Sequence, residues 1–549
     1  MTPSKQQQAI LDEVQNGNGN ILVKALAGTG KTILIMMCLP YVEGDVFVGA
    51  FNVSIKQELE RRIASMRLPN CNIDVKTIHG AGLGAYKYGG GSRTTRTEKD
   101  KVHFIVDELG NDVEDYVTYR NFICKLVGIG KRAGIGPLVP NTPDSWQELI
   151  DYYSVDDELP DRNGDREDLI ERLISYTRNV FRLSLDKCKE EIDFDDMLLA
   201  PIHFNCRFKK YDWVFCDEVQ DNSAIRQEIT IRMVKSGGRM LAVGDENQSI
   251  YGFCGANHEA MSDLQERMDM TVFPLSVTYR CPKLIVELAR QWVPDYEASD
   301  KNPEGTIRTA YLDPEPCAVC YGSGFRTVGA ESVICAQCGG SGKIGPDFWD
   351  EIGTLNADCV IMCRNNRPVV ELAYRLLRAG VACQIEGRDF AGSLIKLCQK
   401  WKVRELNALE SRLTEYKTRE AAKWRAKRNE ERAVGIEDKI DTLLTLLDAV
   451  RASGKSRVSD LTDRINTMFG DTEAGQRPRV LTLSSCHKMK GREFKRVYIL
   501  GRDRYMPSRW AKQPHEIKQE NNLQYVAVTR AMQELVDVVV PPEPKRRDR

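Results

Sequence analysis

Ala25, Gly28, Thr29, Gly30, Lys31 and Thr32 lie between two apolar runs, Ile21 to Val23 and Ile33 to Met37. A strand, a glycine-bearing loop and a helix start in that order form a phosphate cradle. The glycines let backbone N–H groups approach an anion, and the helix N-terminus adds partial positive charge. Lys31 is then placed for the β- and γ-phosphates of ATP, and the Thr32 hydroxyl for Mg²⁺. Such loops usually open with glycine, where this chain has Ala25. A second pattern supports the first: the apolar stretch Trp213 to Cys216 ends in Asp217 and Glu218. One carboxylate can complete a Mg²⁺ shell while its neighbour orients and deprotonates an attacking water, so Asp217 and Glu218 divide the work of a nucleotide hydrolase.

A third cluster is built from cysteine. Cys317, Cys320, Cys335 and Cys338 form two Cys-x-x-Cys-x-Gly-x-Gly repeats. Four thiolates suit tetrahedral zinc, and the glycines allow the tight turns that aim N–H groups at sulfur. With no histidine or carboxylate required and no open position, the site reads as structural Zn²⁺; a redox dithiol or two disulfides are the alternatives. The other 13 of the 17 cysteines read as small buried hydrophobes in a reducing compartment.

These residues need elements to hold them. At 549 residues the chain exceeds one core, and three or four units are expected. Strand-like runs at 45–51, 73–79, 213–217 and 240–244, then at 360–363, 480–484 and 497–500, alternate with helical stretches. That alternation predicts two α/β cores with parallel sheets. Residues 91–184 and 391–475 are helical in pattern and read as insertions; in the second, Leu406, Leu409 and Leu413 mark a narrow apolar stripe in a charge-dense run. Lysine plus arginine number 78 against 79 acidic residues, so polyanion binding must come from local patches. The longest apolar run, 33–42, is too short to span a bilayer, and the early cradle leaves no space for a removable signal peptide. A cytoplasmic protein without membrane contact is the expectation.

Further motifs, in order, resemble those of superfamily 1 helicases of the UvrD/Rep type, and the cysteine repeats resemble the zinc segment of DnaJ-type chaperones. The resemblance implies two RecA-like cores: residues 1–90 and 185–275 for the first, with 91–184 inserted. The second takes 276–312, 346–390 and 476–549, with a zinc insertion at 313–345 and a reduced helical insertion at 391–475. It also implies roles. Gln6 matches the adenine-reading glutamine; Gln248 the phosphate sensor; Tyr279 the adenine-stacking ring; Arg280 and Arg530 the arginine fingers; Gly491 and Glu493 positions near the nucleotide. Phe51, Asn52, Thr77, His79, Tyr251, Phe253 and His487 match DNA-facing positions. Cys254 stands where the family usually has arginine, and the segment 193–196 resembles one that precedes the Asp-Glu strand. The activity implied is that of an ATP-dependent DNA helicase moving 3′ to 5′ on single-stranded DNA and at junctions, with the zinc module as a route to replication or repair proteins. Alternatives are a translocase that strips proteins without efficient unwinding, and a nucleotide-gated scaffold.

Overall fold

The computed structural model describes residues 2–153, 155, 159, 166–250, 260–323, 325–328, 331–386, 390–426, 430–469, 480–509 and 511–541. Tyr251, Phe253 and Cys254 lie outside the described residues. The chain divides into two compact units, residues 1–279 with 295–297, and residues 280–294 with 298–549. The crossing falls between Tyr279 and Arg280, four residues later than the expected 275/276 divide. Local bonds account for the shift: the Tyr279 N–H donates to the Gly28 carbonyl at 3.0 Å, and Glu297 N–H to Ser276 at 3.1 Å.

The first unit holds a six-stranded sheet in the spatial order Cys71–Thr77, Gly44–Ala50, Tyr211–Cys216, Val234–Gly244, Asn20–Ala25 and Met270–Leu275. Every pairing in it is parallel. The central strands are buried along runs such as Val46 to Val48 and Val214 to Cys216, as a sheet covered on both faces requires. The register matches Ala50 with Thr77, Gly49 with Cys216, Lys24 with Gly244 and Ala25 with Leu275. The carboxyl ends therefore lie along one rim, and the cradle, the Asp-Glu pair, Thr77 and Asp245 all come directly after them. Ligands of open parallel sheets bind at that rim.

The expected strands appear with ends shifted by a few residues. Met270–Leu275 escaped sequence reading because Pro274 interrupts it; an edge strand tolerates a residue that cannot donate to the ladder. In the first helix, Lys5–Asn16, a capping box joins Ser4 to Gln7, and Ile10, Leu11 and Val14 are buried at helical spacing. Arg239 fixes its other end, donating to the carbonyls of Glu13, Val14 and Gly17 at 2.9–3.0 Å while lying over Trp213.

The helical segment after residue 91 is less separate than an insertion would be. Its Ile105, Ile123, Leu126 and Trp146 share one apolar cluster with Phe47, Val214 and Met240 of the sheet. A buried ion cluster joins it further. Lys101 Nζ reaches Asp196 Oδ2 at 2.7 Å, and Lys131 Nζ reaches Asp196 Oδ1 and Asp193 Oδ2 at 2.6 Å each. Both lysines are fully buried.

In the second unit a parallel sheet runs Thr306–Tyr311, Ala531–Val539, Phe494–Leu500, Cys359–Cys363, Leu481–Ser485 and Cys383–Ile385. The stripe Leu406, Leu409 and Leu413 is buried in this unit's core, on the helix Leu406–Ala426. That helix pairs with Glu430–Ala452 through Lys417–Asp441 and Arg425–Glu437, so the charged run is a solvated face.

Candidate nucleotide and nucleic-acid site

Gly28 and Gly30 adopt φ of 70° and 90°, a region that L side chains rarely enter, and Gly30 opens the helix Lys31–Cys38 without a side-chain cap. The first N–H groups of that helix are thus left for an anion. Ala25 ends the preceding strand in ordinary extended backbone and is fully buried, so its methyl group is accommodated where the loop consensus has glycine. Leu275, Tyr279 and Tyr296 brace the loop: Leu26 N–H donates to Leu275, Tyr279 N–H to Gly28, and the Tyr296 hydroxyl to the Ala27 carbonyl at 2.8 Å. Thr29 turns inward, its hydroxyl on the Leu26 carbonyl at 2.9 Å.

Opposite the cradle stand the carboxylates. Lys31 Nζ is 3.2 Å from Glu218, and the Thr32 hydroxyl is 3.3 Å from Asp217. Burial works against the Lys31 ammonium, but the charges of Glu218, Asp245 and Asp217 more than offset it and hold the lysine protonated. Burial pushes Asp217 up to about 6, with the Glu218 charge adding to it and Lys31 opposing. This has two consequences. Free enzyme loses stability as pH rises from 3.8 through about 6, because Asp217 must then ionise in a buried place. If Asp217 serves as a Mg²⁺ ligand, it is lost below that same point, and kcat/KM for ATP is then expected to show an acidic limb near 6; a limb in the ordinary carboxylate range, near about 4, would contradict the burial argument.

Glu218 itself has φ of 53°, left-handed for a residue with a Cβ. Such strain persists where the surroundings over-determine it. Gln220, which sequence reading passed over, supplies part of that: its amide nitrogen meets Glu218 at 2.5 Å and its oxygen accepts from the Asp245 N–H at 3.0 Å. Asp245 in turn accepts from Gln248 Nε2 at 2.7 Å. A continuous path thus runs from Glu218 through Gln220 and Asp245 to Gln248. The consecutive residues 217–221 hinted at Gln220, but its link to Asp245, 25 positions away, has no sequence signature. Of the three glutamines near the N-terminus, Gln6 reaches the Tyr279 segment: it donates to the Ser276 hydroxyl at 3.0 Å and accepts from its N–H at 3.1 Å. Tyr279 leaves its ring 53% exposed, available to stack.

The DNA-facing candidates of the first unit gather beside Asp217. Phe51, His79, Asn222 and Arg226 line one small cavity, about 10 Å³, with Asp217 and Cys216, so Asp217 borders both this cavity and Thr32 of the cradle. Arg226 lies 5.8 Å from the Phe51 ring. Asn52 and Thr77 cap the helices Val53–Ala64 and Ile78–Tyr88, accepting from Ile55 and Gly80 N–H. Burial, and then the Arg226 charge, push His79 down to about 4, so it meets a ligand neutral. A residue that sequence reading left without a role joins it: Phe194 is 54% exposed and edge-on to His79, ring centres 6.4 Å apart.

In the second unit, Arg280 pairs with Glu493. Arg530 is almost fully buried, donating to the Val526 and Arg492 carbonyls at 2.9 and 3.2 Å. Gly491, at φ of 80°, precedes this pair in a surface turn. His487 is held near 4 by burial and by the Arg364 charge. The four cysteines converge: Cys317 and Cys335 sulfurs are 3.9 Å apart, Cys320 and Cys338 3.6 Å, all four within 4.8 Å. Thiolates at about 2.3 Å from one tetrahedral ion lie about 3.8 Å apart, so the donor set fits zinc. Gly342 N–H aims at Cys338 sulfur at 3.3 Å.

The family model of the UvrD/REP helicase N-terminal domain matches residues 4–269, and that of the UvrD-like helicase C-terminal domain matches residues 393–539. The chain belongs to the UvrD/Rep helicase family. A probable DNA helicase II homolog of Mycoplasma pneumoniae is 24% identical over 331 residues, 55% of this chain and 43% of that protein. DNA helicase II of Haemophilus influenzae is 22% identical over 392 residues, covering 68% and 50%. The ATP-dependent DNA helicase PcrA of Staphylococcus aureus is 20% identical over 322 residues, covering 54% and 40%. This UvrD/Rep member thus spans half or less of the length of these curated relatives. The two family matches end and begin on either side of the segment that carries the cysteines, so the cysteine knuckles stand outside what the family models describe. Among the described residues of this family member, no helix is long and apolar enough to cross a membrane.

Proposed function

We propose that the chain is an ATP-dependent DNA helicase that travels 3′ to 5′ on a single strand and separates duplex at a junction, in the cytoplasm or on the nucleoid. The observation that carries this reading is the wall shared by Asp217 with Phe51, His79 and Arg226, which makes a change at the nucleotide felt where the strand lies. The cradle holds the phosphates, with Lys31 as counter-charge; Thr32 and Asp217 would hold Mg²⁺, which when bound would neutralise phosphate charge. Glu218 takes the proton of the attacking water. Gln248 reports the γ-phosphate through Asp245 and Gln220. Gln6 and Tyr279 receive the adenine, with Gly491 and Glu493 near the nucleotide. Arg280 and Arg530 stabilise charge in the transition state, and each must first release its present partners. Phe51, Phe194, Tyr251 and Phe253 offer rings to bases, and Asn52, Thr77, His79 and His487 offer polar contacts, His79 and His487 as neutral groups.

Turnover of ATP with and without oligothymidylate, and then a labelled forked duplex, tests this. Strong stimulation by DNA and strand separation are expected. Stimulated turnover with the fork left paired would make the protein a translocase, and absence of stimulation would overturn the reading.

Zinc at Cys317, Cys320, Cys335 and Cys338 belongs to the same proposal, as the fold-holding ion of a module offered to replication or repair proteins. The hairpin Phe325–Val328 with Glu331–Ile334 buries too little to stand alone; Phe325, Val333 and Ile334 are exposed. Chelation is expected to release one zinc per chain and to erase hydrogen-exchange protection across 313–345 while the strands of both sheets stay protected. Retained protection after complete metal removal would exclude a structural ion.

A further inference from the structure

Beyond His79 the helix Ile78–Tyr88 continues along the flank of the first unit, and beside it lies a cavity of about 360 Å³ that the proposed function leaves unused. Its lining includes Lys76, Gly80, Gly84, Tyr88, Arg207 and Lys209, and no carboxylate. Lys76 and Lys209 share a single counter-charge, Asp74, at 3.4 and 3.0 Å, which also accepts from the Tyr211 hydroxyl at 2.7 Å. Arg207 is exposed and forms no ion pair among the described residues. Positive charge therefore remains along the rim. At the far end the Tyr88 ring is 76% exposed, a large planar surface left in water. The floor is open: a Cβ built on Gly84 meets nothing within 4 Å.

We propose that this groove extends the single-strand track past His79, with phosphates on Lys76, Arg207 and Lys209 and a base stacked on Tyr88. The proposal rests on the reading that Thr77 and His79 face DNA. A flexible polyanion whose subunits each carry a flat face matches alternating cations and an aromatic ring better than a folded protein surface does. From His79 to Tyr88 the helix rises about 14 Å, room for at most about four nucleotides at about 3.4 Å or more each.

Binding of fluorescent oligothymidylates of about 4 to about 16 nucleotides to the full chain tests this. Tyr88→Ala is expected to weaken the longest oligomers about five- to hundredfold, with the shortest unaffected, and Tyr88→Phe to restore the loss. Arg207→Ala is expected to lower the slope of log affinity against log salt by about 0.7, one phosphate contact on a single strand. Equal affinities at every length for wild type and Tyr88→Ala would overturn the extension. A wild-type chain that binds no oligomer of any length would sink the underlying DNA reading, a different result.

Discussion

Replacing Glu218 by glutamine is expected to cut DNA-stimulated ATP turnover by about 10²–10⁴-fold while ATP affinity persists, because the change removes the general base and keeps a side chain of the same shape. Glutamine can still meet the Gln220 amide, the cradle and Thr32 keep their contacts, and Lys31 loses the Glu218 charge but keeps those of Asp245 and Asp217. A second readout separates a lost base from a disturbed site. The Glu218 charge helps to raise Asp217, so its removal lets Asp217 ionise at lower pH, and metal-dependent ATP binding should extend further into acid than in wild type. Turnover within a factor of two of wild type would take Glu218 out of the chemistry. A binding profile that stays put would show that burial alone sets Asp217.

The largest effect on stability is expected at Asp196. It is fully buried, receives both Lys101 and Lys131, and exchanges backbone hydrogen bonds with Asp193, N–H to carboxylate, at 2.7 and 3.1 Å. Removing it strands two fully buried lysines against one remaining carboxylate, Asp193. Breaking such a buried cluster on one side costs about 3–5 kcal/mol. Asp196→Ala measured by chemical denaturation of the first unit's transition tests this, and a loss below about 1 kcal/mol would show that the lysines find solvent. Lys101, Lys131, Asp193 and Asp196 replaced together by apolar residues of similar volume should recover most of the loss, since the cost lies in the orphaned charge more than in the absent pairs.

What could be read from sequence tracked the range of the interactions. The cradle, the Asp-Glu strand end and the cysteine knuckles are contiguous, so their chemistry and their backbone demands sit in one short string. The seven expected strands were found because each is a short stretch rich in β-branched or apolar residues, continuous as in 213–216 or alternating with polar ones as in 73–79. Two of the edge strands, Met270–Leu275 and Thr306–Tyr311, were not, because they carry exposed, mixed side chains that periodicity cannot separate from loops. Lys101 and Lys131 were invisible as core residues, since lysine is placed on surfaces unless its partners are known, and those partners lie 62–95 positions away. The segment 193–196 was noticed without a role; its carboxylates serve the fold through Lys101, Lys131 and Arg132, and its Phe194 serves the cleft. Expected roles for Asn52 and Thr77 gain a structural component, because each also caps a helix.

The left-handed backbone at Glu218 has a bearing on how the protein fails. A non-glycine residue held there costs on the order of 1–3 kcal/mol, so Glu218→Asn, which tolerates that conformation better, relieves the chain even as it abolishes hydrolysis. That variant is therefore expected to persist at normal abundance, whereas changes at Asp196 are expected to lower it. On the proposed function, an arrested chain of normal lifetime would be the more harmful of the two lesions, since it would compete with its active siblings for every track.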